Sequence, residues 1–276
     1  MKLNLSGKIG LVIVSSVVLA ALVSFFWTPY DPIHAMPADR LQGSSLKHLM
    51  GTDRYGRDVF SQMMAGSQIA LLVGVVATGI GAAIGTPLGI ISGMTRGWVD
   101  SVVMRMSDVL LAFPALLLAI ITGAIWGSST VTAMAAIGVA SIPAFTRITR
   151  TGTIQVMSKD FILAARDASV PSWLIALRHV LPNIAGMLIV QASVSFALAI
   201  LAEAALSFLG LGTPPPDPSW GRLLQNAQSS LASAPMLAVW PGATIAVTVL
   251  GFNLLGDSLR DLLDPKSRRS VKVESL

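Results

Sequence analysis

Apolar runs long enough to cross a bilayer, joined by short basic links, leave this chain few folds to choose from. Residues Ile9 to Trp27 form an uncharged stretch of 19, close to the roughly 20 residues that cross about 30 Å of hydrocarbon. Comparable runs follow at Ile69 to Gly93, Met106 to Trp126, Ser129 to Thr146, Ile184 to Leu209 and Leu237 to Gly256. In hydrocarbon every backbone polar group must find its partner within the protein. Six such runs therefore predict an all-α, polytopic membrane protein with six transmembrane helices. Composition agrees: 53% of the residues are hydrophobic and 12% charged, about half the charged share of a soluble domain. The first run ends Phe25-Phe26-Trp27 instead of in the small residues of a signal cleavage site, so it reads as a retained anchor. The chain divides into this anchor with an outer loop, 1–68, a five-helix membrane domain, 69–260, with an inner loop at 147–182, and a cytoplasmic tail, 261–276.

Within the second run, Gly81, Gly85, Gly89 and Gly93 recur four apart and share one helical face, the pattern that lets membrane helices approach closely. Pro114 and Pro143 mark expected kinks in the third and fourth runs. With six spans both termini share a side. That side carries fourteen of the nineteen Lys and Arg residues and the other carries five, which places both termini in the cytoplasm. Trp27, Trp126 and Trp240 then lie near the outer interface, where indoles concentrate. Because the bases are spread through links and not gathered with aromatics in one patch, the net charge of +5 reports topology and not nucleic-acid binding.

Chemistry on the chain itself finds little support. The absence of cysteine excludes thiolate metal sites and cysteine nucleophiles. His34, His48 and His179 are scattered, and the two outer ones read as solvated loop residues more readily than as metal ligands. Gly51-Thr52-Asp53-Arg54-Tyr55-Gly56-Arg57-Asp58 nearly matches a phosphate-binding loop, but Arg and Asp replace the required Lys and Ser/Thr. It reads better as a charged, capped turn at the membrane surface. Glu203, Asp108 and Asp257 are the ionisable groups within or at the ends of spans. A proton-coupled transporter would use them as carriers, whereas local or partner pairing needs no relay, and a relay wants more groups at mid-depth than Gln191 and Asn253 supply. Gly210 to Gly221, with Pro214, Pro215, Pro216 and Pro218, is a stiff outer loop suited to presenting a surface, or simply to connecting two spans. On the inner side, apolar residues recur at helical spacing from Phe161 to Val180, interrupted at Ser169-Val170-Pro171-Ser172. This predicts two short amphipathic helices with a bend between them, able to lie on lipid or dock into another protein.

Residues 163–183, LAARDASVPSWLIALRHVLPN, resemble the cytoplasmic "EAA" loop of permease subunits in bacterial ABC importers. GTDRYGRDVFS from Gly51, EAALSFLGLGTPPPDPSWG from Glu203 and NLLGDSLRDLLDP from Asn253 narrow the likeness to the C-type permeases of the dipeptide, oligopeptide and nickel importer group. The resemblance covers nearly the whole chain and implies a type I ABC importer permease fold, a bacterial inner-membrane location and no catalysis on this chain. The implied partners are a second homologous permease, two cytoplasmic ATPases carrying ATP and Mg, and an extracytoplasmic binding protein. The loop implied to couple to the ATPase comprises Leu163, Ala164, Ala165, Arg166, Asp167, Ala168, Ser169, Val170, Pro171, Ser172, Trp173 and Leu174, closing at His179 and Pro182. The other motifs offer Gly51, Thr52, Asp53, Gly56, Arg57, Asp58, Glu203, Asn253, Asp257, Arg260 and Asp261 as partner-contact or structural residues. Two positions depart from the pattern. Leu163 replaces the usual glutamate, which tells against a carboxylate contact there unless Asp167 supplies it. Ser169 replaces glycine, which tells against a tight left-handed turn. The expected function is import of di- or oligopeptides through half of a translocation pathway. Import of nickel or a metal chelate is the alternative within the group, and a proton-coupled transporter or channel the alternative outside it.

Overall fold

The computed structural model describes residues 3–263. Lys2, Asp264, Pro265 and the expected tail with Lys266, Arg268, Arg269 and Lys272 lie outside the described residues. The elements are α1 (Leu5–Ser24), α2 (Val59–Thr95), α3 (Gly97–Ala112), α4 (Ala115–Trp126), α5 (Thr130–Met157), α6 (Asp160–Asp167), α7 (Ser172–Ile175), α8 (Leu181–Phe208), α9 (Trp220–Ala227) and α10 (Met236–Leu263). A π-helical turn, Ala176–Val180, joins α7 to α8. Sides are named by the charge count, with the base-rich side as inner.

Five helices are long and apolar enough to span: α1, α2, α5, the rod from Ser172 to Phe208, and α10. The expected third span is broken. Its two halves, α3 and α4, meet at an angle of 81°, and at 1.5 Å per residue they reach only about 24 and 18 Å, short of the bilayer's roughly 30 Å. Pro114 drives Phe113 into an extended backbone (φ −93°, ψ 123°), as the residue before a proline prefers, and the Leu110 carbonyl that the proline leaves free accepts instead from the Phe113 amide at 3.3 Å, which closes the helix there. Pro143 does not break α5. There the glycine stripe of α2 grips both sides of the proline: a Cβ on Gly81 would fall 2.9 Å from Ser141, on Gly85 2.6 Å from the Ile142 carbonyl, and on Gly89 2.5 Å from that of Thr146. Backbone contact this close holds α5 in register across the missing hydrogen bond.

The other spans assemble around the α2–α5 pair. Val73 and Ala77 of α2 pack with Ala133 and Ile137 of α5 and with Ala199 of α8 at mid-depth. Outward lies a second cluster in which Trp220 and Leu223 of α9 meet Val59 and Met63 of α2 and Ile245 of α10. Inward lies a third, beneath the inner loop, which includes Ile90 of α2 and Val156 of α5. The anchor α1 packs on α10 through small residues, Gly10 against Gly251 and Leu255, and Gly7 against Ser258. Asn4 caps α1, accepting from the Gly7 amide at 2.8 Å, and donates to Asp261 at 3.4 Å.

Both long loops are shorter than the sequence suggests, because the flanking helices extend beyond the hydrocarbon. Helix α2 begins at Val59, inside the stretch assigned to the outer loop, and α5 runs on to Met157 inside the stretch assigned to the inner loop.

Candidate functional site

The inner loop is built on three isoleucines. Ile162 of α6, Ile175 of α7 and Ile184 of α8 are fully buried with Val180, against Ile90 of α2 and Val156 of α5. Outside the membrane each such side chain contributes about 1.5–3 kcal/mol of burial, so the loop is fastened to three spans. Helix α6 ends in a Schellman motif: the Val170 amide donates to the Ala165 carbonyl at 3.0 Å and the Ser169 amide to that of Arg166 at 2.8 Å. Ser169 sits at φ +55°. The left-handed turn that the sequence told against is therefore present with serine in glycine's place, because the two capping bonds and the anchoring of Ile162 and Ile175 on either side fix the geometry.

Pro171 then opens α7, and its carbonyl accepts from the Leu174 and Ile175 amides at 2.9 and 3.1 Å. The second of the two predicted short helices is not separate. Through the π-turn it becomes the inner end of one continuous rod, Ser172–Phe208. Pro182 has no amide to give the Arg178 carbonyl and its ring crowds that oxygen, which accounts for the widened turn before it. The turn directs His179 toward Phe161, their ring centroids 6.1 Å apart.

What the loop presents outward is apolar. Phe161, Leu163, Trp173 and Leu177 are 45–63% exposed, with Ala164, Ala168 and Ser172 between them and Arg166, Asp167 and Arg178 at the rim. Leu174 is half-buried and Val170 packs into the inner cluster. Phe161 and Leu177 belong to this face as much as the residues chosen from the motif do, and the 3.6-residue period was the signal that could have added them. Two ion pairs behind the loop tie α3 to α5: Asp100 accepts from Arg150 at 2.5 and 2.6 Å, and Asp108 from Arg147 at 2.5 Å.

The outer motif from Gly51 folds as a turn closed on itself, with Gly51 and Gly56 at positive φ and a bridge between Thr52 and Asp58. Asp53 accepts from the amides of Tyr55 and Arg57 at 2.8 and 3.0 Å and pairs with the Arg57 guanidinium at 2.7 Å. Asp58 caps α2, accepting from the Ser61 amide at 2.8 Å, and holds His48 Nδ1 at 2.9 Å. Thr52 donates to the Asp39 carbonyl. His48 is buried, not solvated, with Tyr30 packed over it, whereas His34 is exposed. The Lys47 ammonium, 3.1 Å from Asp39, holds that carboxyl below its ordinary range. Among the described residues no three His, Asp or Glu side chains gather as a metal site would require.

Glu203 is buried near the outer end of α8 and accepts from the Ser207 hydroxyl at 2.6 Å and that of Thr213 at 3.2 Å. Ser207 Oγ in turn accepts from the Thr213 amide at 2.9 Å, and Trp220 Nε1 donates to the Met63 carbonyl at 3.0 Å. The proline-rich outer loop is thus nailed to α8 and α2. Asn253, Asp257, Arg260 and Asp261 are exposed along the inner half of α10, so the four motifs form separate inner and outer sites.

The family described as binding-protein-dependent transport system inner membrane component matches residues 85–269. The dipeptide transport system permease DppC of Alkalihalophilus pseudofirmus is 40% identical over 268 residues, 97% of this chain and 88% of that protein. The glutathione transport system permease GsiD of Pectobacterium atrosepticum is 42% identical over 254 residues, 90% of this chain and 84% of its own. A solved structure of the MetNI methionine ABC transporter in an inward-facing conformation superposes with a TM-score of 0.61, covering 74% of this chain and 96% of that one at 16% identity, a likeness of fold alone.

Proposed function

This chain belongs to the binding-protein-dependent transport system inner membrane components, and from that premise we propose how its geometry serves the work of an ABC importer permease. It is a multi-pass inner-membrane protein and a transporter subunit, not an enzyme. In the proposed reading it pairs with a second permease to enclose the pathway, and two cytoplasmic ATPases supply the energy, with ATP and Mg bound on those subunits. An extracytoplasmic binding protein delivers the cargo. Peptides are the proposed cargo, because relatives spanning nearly the whole chain are named for dipeptide and glutathione transport.

One observation carries the mechanism: an exposed apolar face on the inner loop is continuous with a membrane-spanning rod. Movement of an ATPase against Trp173 and Leu177 would act directly on the 37-residue helix Ser172–Phe208, about 55 Å long at 1.5 Å per residue. The rod's far end carries the Glu203 network and the outer loop, so one rigid element links the energy-receiving side to the cargo-receiving side. The ion pairs Asp100–Arg150 and Asp108–Arg147 tie the broken third span to the same motion through α5. Docking by apolar contact also explains why Leu163 can stand where a glutamate is usual, since it lies exposed on this face.

The test is Trp173→Ala with Leu177→Ala in the assembled complex. Removing two interface anchors worth about 1–3 kcal/mol each should leave assembly measurable by copurification and lower peptide uptake per ATP hydrolysed by about tenfold or more. Uptake at the wild-type rate and stoichiometry would sink the coupling assignment.

A further inference from the structure

The outer cap and α9 bring three guanidinium groups together, and two of them lack a counter-charge. Arg54 and Arg57 both lie over the Tyr55 ring, 4.8 and 4.9 Å from its centroid. Arg57 is neutralised by Asp53. Among the described residues neither Arg54 nor Arg222 has a carboxylate within ion-pair distance. Arg54 reaches only the neutral oxygens of Ser229 and Asn226, at 3.3 and 3.4 Å, and its Nε is buried without a partner. Arg222 donates to the Thr213 carbonyl at 3.1 Å. Burial and the neighbouring charges of Arg57 and Arg54 push the Arg222 guanidinium below its ordinary value, with Tyr55 opposing.

The other acids of the cap are spent inside it, Asp39 on Lys47 and Asp58 on His48 and Ser61. Asn226 lines two small crevices, one shared with Arg54 and the other with Arg222 and Arg57. Asp217 lines the second crevice but makes no ion pair with either uncompensated arginine. Guanidinium groups partly stripped of water and left without an anion are costly, and they match carboxylates in planar, two-bonded geometry.

We propose that Arg54 and Arg222, on either side of Asn226, are the recognition point for an acidic patch on the extracytoplasmic binding protein. This rests on the importer reading above, whose family is defined by dependence on such a protein. The carboxylates come from that protein and not from the cargo, because the two crevices, of about 10 Å³ each, are too small to admit a peptide.

The experiment uses the assembled importer in nanodiscs and the loaded binding protein that stimulates its ATP hydrolysis. Charge reversal, Arg54→Glu with Arg222→Glu, should weaken binding by about tenfold or more and flatten its dependence on salt. Arg54→Lys with Arg222→Lys should keep the salt dependence and bind between wild type and the charge-reversed complex, since it keeps the charge but loses the two-bonded geometry, which separates lost charge from lost folding. Hexaglutamate should compete for the wild-type complex and hexalysine should not. Unchanged affinity in the charge-reversed complex overturns the proposal. So does a defect confined to the cargo concentration that half-saturates the stimulated ATP hydrolysis, which would make the arginines a cargo-carboxylate site, or a defect seen only in nanodiscs of anionic phosphatidylglycerol, which would make them a lipid site. If no binding protein stimulates even the wild-type complex, the importer reading itself fails, and that result is distinct from the others.

Discussion

Ser169 shows how one residue can hold a conformation its side chain disfavours. A left-handed backbone costs an L-residue other than glycine about 1–2 kcal/mol, and here capping bonds and two buried isoleucines impose it. Ser169→Gly should therefore raise the thermal stability of the purified complex by an amount equivalent to about 1 kcal/mol. Ser169→Val should lower it by at least as much, since a β-branched residue fits the left-handed region worst. Asp39 gives the outer cap a pH dependence of definite sign. Its carboxyl is held below the ordinary 3.8 by Lys47, so the folded cap binds that proton less readily than the unfolded chain. The stabilisation is complete above the ordinary value and is lost as pH falls through the depressed one. Pepsin cleavage within residues 40–50 should stay slow down to about pH 4 and accelerate below it, and Lys47→Gln should speed cleavage above that pH and remove most of this acceleration.

At the scale of elements, the π-turn Ala176–Val180 is one residue more than an α-helix needs between the loop and the membrane rod. π-turns inside α-helices recur at functional sites. Deleting Ala176 removes the residue that the widened turn accommodates, so a closed turn would bring the Pro182 ring against the carbonyl four residues before it and disturb the junction between the Trp173 face and α8. The expected result is a complex that assembles and hydrolyses ATP yet imports little, read as the ratio of uptake to hydrolysis; uptake at the normal ratio would show that the register of the turn is immaterial. The period of the apolar residues made both loop helices legible in the sequence. It did not show that the second continues into α8, because a proline at position 182 ordinarily signals an end and only the widened turn lets the helix pass it.

For the whole molecule, the asymmetry of basic residues predicts one orientation. The chain contains no cysteine, so single substitutions report cleanly on it. Ser158→Cys should be labelled by a membrane-impermeant maleimide only in inside-out vesicles, and Ser229→Cys only in intact cells after removal of any outer membrane. The reverse pattern would invert the assignment of inner and outer sites and with it the roles given to the Trp173 face and to Arg54.

The sequence by itself determined the class of fold, where the apolar core of each span lies though not where its helix ends, and the apolar face on the inner loop. Each of these follows from local periodicity and from hydrocarbon's intolerance of unpaired backbone. It also announced the four motifs, through residue types at fixed spacing. Only the tertiary structure decided which proline breaks a helix: Pro114, exposed beside an exposed Phe113, ends α3, while Pro143, clasped by α2 glycines, does not interrupt α5. It likewise buried His48 beside Asp58 and left Arg54 and Arg222 without carboxylates. Those outcomes depend on which groups lie opposite one another across helices and loops distant in sequence, and a one-dimensional pattern carries no information about that pairing.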